Sequence, residues 1–246
     1  MTTLTSTPPP GPSNGPSSPP SAIGLVWALI RLGAARLRRG RSLMYAMVIA
    51  ALPVVLLALL AQTKRTPMLI KDTYALMMTS LVIMPALLVA APLAEEVEER
   101  TLAYLWSRPL PRWGLWLGKI GAGAPFVIGL TVVALTAAYA VSYQTIPTLA
   151  VLVGAATTAF ALCLVSASLA TVWPKHGMTL AIIYGLFFDT TLSQLPLAAR
   201  GASLVYWGTS LSGYGSEPVT AALWGMVKIL SIWTALALWR LRYLSE

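Results

Sequence analysis

The chain has 246 residues, of which 57% are hydrophobic and only 10% charged, and its mean hydropathy is +0.73. Soluble domains of this length carry nearer a quarter charged residues, so a water-soluble globule is excluded and an integral membrane protein with one compact transmembrane domain is expected. The net charge of +9 would suggest nucleic acid in a soluble protein, but here Lys and Arg gather at the ends of apolar runs, a pattern that reports membrane orientation and calls for no nucleic-acid partner.

Residues 1–21, MTTLTSTPPPGPSNGPSSPPS, are Pro, Ser, Thr and Gly without charge; they cannot bury enough apolar surface to offset ordering and are expected to be a disordered tail. They also lack the basic and apolar regions of a signal peptide. Residues 22–42 differ. Ile23, Val26, Trp27, Ile30 and Leu37 cluster on one side of a helical wheel, and Arg31, Arg36, Arg38, Arg39 and Arg41 fall within eleven positions. A charge at the bilayer centre costs roughly 2.5–3.5 kcal/mol, so this segment does not span. It reads as an amphipathic helix lying in the interface, with its arginines on lipid phosphates, or in its second half as a plain basic flank of the next span.

Six runs are long enough to cross a bilayer, near 43–61, 73–94, 118–142, 148–173, 177–199 and 219–239. With the N-terminus inside, twelve Lys and Arg fall on the cytoplasmic side and four outside (Lys64, Arg65, Lys71, Arg200), which puts both termini in the cytoplasm of a multi-pass protein of the inner or plasma membrane.

Between the second and third spans lies EEVEERTLAYLWSRPLPRWGLWLGK, residues 95–119, with four of the eight acids, Glu95, Glu96, Glu98 and Glu99, in five positions. Val97, Thr101, Leu102 and Leu105 have helical spacing, acids favour a helix N-terminus, and Pro109 and Pro111 end it. Trp106, Trp113 and Trp116 suit the membrane–water interface. The segment is either a surface helix held by something else or a solvated loop with interfacial anchors.

This stretch resembles the cytoplasmic motif of the type-2 ABC transporter permeases, the export-type membrane subunits. The residues that carry the likeness are Glu95, Glu96, Glu98, Glu99, Thr101, Leu102, Leu105, Pro109, Arg112, Gly118 and Lys119, with Arg100 in place of the family's usual Gly and Ala103 in place of a second acid. The resemblance implies an all-α polytopic membrane fold with six transmembrane helices, an N-terminal interfacial helix and a cytoplasmic coupling helix at about 95–108, flanked by Arg108 and Arg112. It implies two partners, a separate cytoplasmic ABC ATPase subunit gripping that helix and a second permease copy or homologue. ATP and Mg would be bound by the ATPase, and no cofactor is expected in this chain. GLWLGKI is one residue short of a phosphate loop and opens a span. A membrane anchor of an ATPase-driven complex without transport, serving metalloenzyme maturation or surface machinery, is the alternative.

No catalytic or metal constellation is expected. His176 stands alone, no GxSxG elbow occurs, and the lone Cys163 in an apolar run reads as a packing residue. Two charges lie inside predicted spans, Asp189 and Lys228. About 18 Å from the inner end and about 14 Å from the outer end respectively, they are a candidate pair in antiparallel helices or part of a pathway. Otherwise Asp189 marks a helix break and Lys228 snorkels. Residues 200–217 are too polar to cross and, by the resemblance, re-enter from the outer side; an outer loop with interfacial aromatics would read the same.

Overall fold

The computed structural model describes residues 22–62, 69–98, 112–195 and 198–243, and among these every regular element is helical. Helix α1 (Ala22–Arg39) gives way at Gly40 to α2 (Arg41–Gln62). A helical rod then runs from α3 (Ile70–Leu81) through Ile83–Pro85 and a π-helical stretch, Ala86–Ala90, into α4 (Ala91–Glu98). Next come α5 (Arg112–Tyr143), α6 (Leu149–Val172), a 3-10 turn at Pro174–His176 and α7 (Gly177–Ile183). A second π-helical stretch, Tyr184–Asp189, leads into α8 (Thr190–Gln194). A 3-10 turn at Ala198–Ala202, the short α9 (Leu204–Leu211) and the long α10 (Val219–Tyr243) complete the order.

Among the described residues, five stretches are long and apolar enough to cross a membrane: Arg41–Gln62, Ile70–Ala94, Trp113–Tyr143, Leu149–Val172 and Val219–Arg242. They coincide with five of the six expected spans. The remaining one, 177–199, runs as a helix from Gly177 to Gln194 and is broken by its π-helical stretch. Its end has a simple cause: Leu195 precedes Pro196, which pushes the residue before it out of the helical region, and Leu195 is extended at ψ 136°. In the second span Pro85 lacks the amide that would bond the Leu81 carbonyl, and the irregularity around Val82 and the π-helical stretch lie on either side of it.

Helix α6 is the centre of the bundle. Its inward positions are mostly small, including Gly154, Ala155, Ala159, Ala161, Ala167 and Ala170, and α5, α7, α9 and α10 close around it. Small residues let helix backbones approach closely, which is how helices associate where lipid removes the hydrophobic drive. Three of its buried hydroxyls are satisfied within the helix: Thr158, Ser168 and Thr171 donate to the carbonyls four residues back at 2.7, 2.8 and 2.8 Å. The perimeter is different. Only 22% of the apolar window of α2 and 28% of that of α10 are buried, against 56% for α6, so these two helices turn most of their side chains outward.

Helix α1 packs on the start of α5. A Cβ on Gly33 would stand 2.7 Å from that of Ala122, and one on Gly121 would meet Ile30 at 2.8 Å, so both glycines serve close approach. The packed stripe is Val26, Leu29, Ile30, Gly33 and Leu37, while Ile23 and Trp27, expected on the same face, are exposed. Trp116 also departs from expectation. It is buried within the bundle with its indole N–H unpartnered, whereas Trp113, one turn earlier, is exposed.

Candidate functional site

The start of α4 and the basic end of α1 lie on either side of a cavity at one end of the bundle. Helix α4 packs on the Pro174–His176 turn and on α6 and α7. A cavity of about 260 Å³ lies between α1, α4 and α5, with Arg36, Arg41 and Lys119 on its wall and Leu37, Leu88 and Pro92 among its apolar lining. Of the residues the resemblance singles out, Glu95, Glu96 and Glu98 belong to α4 and Arg112 opens α5. Glu99, Arg100, Thr101, Leu102, Leu105, Arg108 and Pro109 lie outside the described residues, as do Trp106 and Pro111. The helices that lead into and out of this segment are each continuous with a bundle-crossing rod.

At the opposite end α9 is folded back into the bundle against α6, α10 and α3. Leu204, Val205, Tyr206, Gly208 and Ser210 are all buried in it. Asp189 holds its first turn. The carboxylate is fully buried and accepts the backbone N–H groups of Leu204 at 2.6 Å and Val205 at 3.0 Å, one on each oxygen. Ser203 completes the cap by accepting the N–H of Tyr206 at 3.1 Å. The orphan amides of a helix start, with their partial positive charge, are a natural partner for a buried anion. The pairing of Asp189 with Lys228 is therefore corrected: no ion pair joins them among the described residues, and Lys228 is exposed on α10. Depth along two helices limits which residues can meet. It says nothing of rotation about each axis, and it does not register a helix N-terminus lying closer.

Sequence reasoning also missed a belt of hydroxyls around α9. The Tyr74 hydroxyl is 2.7 Å from Ser212 Oγ, that of Tyr139 is 2.9 Å from that of Tyr214, and Tyr143 meets Thr73 at 2.6 Å. On the outer side of α9, Tyr206 donates to Glu217 at 3.1 Å, and Arg200 lies 5.0 Å over the Tyr206 ring and 3.9 Å from Glu217. The helix touches α6 so closely that a Cβ on Gly154 would lie 2.8 Å from the Ser212 amide nitrogen. The readable signal was the density of Tyr and Ser in LVYWGTSLSGYG, excessive for a loop that only faces water. These contacts fix the position of helices relative to one another.

Comparison with curated proteins returned no match for the chain. The family model described as "ABC-2 family transporter protein" matches residues 29–194, well over half of the chain and spanning α1 through α8. The helical bundle, with its apolar membrane-crossing rods, agrees with that match, and the chain belongs to the ABC-2 family of transporter membrane proteins.

Proposed function

We propose that this chain is the permease subunit of an export-type ABC transporter, driven by a separate cytoplasmic ATPase that grips residues 95–112. The family implies an ABC transporter with a nucleotide-binding partner. The observation that carries the coupling role is the continuity of the segment's two flanks. α4 extends a rod that begins at Ile70, α5 runs unbroken to Tyr143, and α4 rests on the turn that joins α6 to α7. A push on the intervening residues is therefore delivered to the core helices directly. The acids of 95–99 suit a basic groove, and charge complementarity of this kind sets partner choice. Two permease copies would enclose the substrate path, and the outward-turned faces of α2 and α10 supply apolar surface for a second copy and for lipid. The N- and C-termini and the 95–112 segment face the cytoplasm in this reading, which follows the distribution of Lys and Arg.

The test is co-purification. Glu95→Lys, Glu96→Lys, Glu98→Lys and Glu99→Lys together should abolish recovery of the ATPase with the permease, with membrane insertion unchanged. An intact complex at low salt would remove the coupling assignment.

A further inference from the structure

Lys228 stands nine residues into α10, about 14 Å along the helix from Val219, which is within hydrocarbon depth for a bilayer of about 30 Å. An ionisable side chain at such a depth is rare and merits a search for what it meets. Of the acids whose side chains are described, Asp72 lies in the first turn of α3 and Glu217 just ahead of α10. The third, Asp189, is committed to the amides of α9. Among the described residues no acid is therefore placed to pair with Lys228 at that depth.

The lysine is not on a bare helix. It lines an open groove of about 530 Å³ between α10 and the Gly201–Trp207 region. Trp207 forms the wall: its indole N–H donates to the Gly201 carbonyl at 2.7 Å, and its ring lies so close to α10 that a Cβ on Gly225 would overlap it. Ile229 provides a buried floor. Trp224, Lys228 and Ile232 recur at four-residue spacing, one stripe along the rim, and both apolar members are 67% exposed. One cation is thus set in an aromatic and aliphatic trough that opens sideways from the bundle.

We propose that this trough is a lateral binding site for an anionic amphiphile, whose acidic head is held by Lys228 and whose apolar chain lies along Trp207, Gly225 and Ile229. Charge complementarity selects the head, since no acid among the described residues pairs with Lys228, and the lining selects the chain. On the transporter reading above, this names the substrate class or the lipid that regulates its passage. The site is tested on the permease alone, so it stands or falls independently of the ATPase.

The full chain is placed in phosphatidylcholine nanodiscs with nitroxide-labelled stearate or nitroxide-labelled phosphatidylcholine, and the motionally restricted fraction is read by electron paramagnetic resonance. The wild type should favour stearate about tenfold and saturate near one probe per chain, as one charge-assisted contact allows. Lys228→Gln should abolish that preference and Lys228→Arg should keep it. Unlabelled oleate and phosphatidylglycerol serve as competitors, the first standing for a carboxylate head and the second for a phosphate head, and displacement by either supports the site. No preference in the wild type, an unchanged preference in Lys228→Gln, unsaturable binding or displacement by neither competitor would each overturn it. Because Lys228 is exposed, its neutral variant should retain the wild-type unfolding temperature in the absence of probe.

Discussion

Replacing Asp189 should release α9. Each carboxylate oxygen takes one amide, at 2.6 and 3.0 Å, and the side chain has no exposed surface. Asp189→Asn keeps one acceptor but turns an amide N–H toward the other donor, so one charge-assisted hydrogen bond is lost, about 1.5–3 kcal/mol. Asp189→Ala strands both buried donors at about 1–3 kcal/mol each, or about 2–6 kcal/mol in all. A chain of this size shifts its unfolding midpoint by about 2–4 °C per kcal/mol, so the Asn variant should melt roughly 3–12 °C lower and the Ala variant lower still. Fluorescence-monitored thermal unfolding of the purified protein in detergent measures this, and hydrogen exchange at Leu204 and Val205 localises it. Adding Lys228→Met to Asp189→Asn should rescue nothing, with a coupling below about 0.5 kcal/mol. An unchanged midpoint in Asp189→Asn would refute the cap, and recovery in the double variant would restore the ion pair.

Two glycines on the bundle helices should respond in opposite directions. Gly154→Ala presses a methyl into the backbone of Ser212 and should destabilise by about 1–3 kcal/mol, whereas Gly129→Ala meets nothing within 4 Å and should stabilise by up to about 1 kcal/mol; thermal unfolding with the signs reversed would contradict the packing of α9 on α6. In a Cys163→Ser background, cysteine at exposed Thr145 should react from outside with a membrane-impermeant maleimide and cysteine at exposed Lys175 should not. The reverse labelling would invert the proposed topology and place residues 95–112 beyond reach of a cytoplasmic ATPase.

Hydropathy was enough to find five of the membrane-length helices, because uninterrupted apolar runs such as 43–61 and 148–173 leave little choice in lipid. It also found α1, whose arginines forbid spanning. What it did not reveal depends on rotation and on contacts distant in sequence. Trp116 is buried where an interfacial position was expected, because composition reports that an indole prefers an interface and not which way the helix faces. Asp189 found amides fifteen and sixteen residues ahead, and the Tyr74–Ser212 contact spans 138. Much of the motif that suggested the coupling segment lies outside the described residues, so its helix from Glu99 onward remains an expectation from spacing.

The two π-helical stretches affect how any helical wheel of this chain is drawn. At Ala86–Ala90 the amide of Ala91 bonds the carbonyl of Ala86, and at Tyr184–Asp189 that of Thr190 bonds that of Gly185, each ring holding one residue more than an α-turn. One residue is worth about 100° of azimuth, so the polypeptide beyond each stretch is turned by that angle from where an unbroken helix would have carried it. Deleting a single residue from 86–90 would leave the length of the rod almost unchanged. It would swing α4 to a different compass bearing over the Pro174–His176 turn, and that bearing is encoded in where the backbone widens as well as in the side chains it displays.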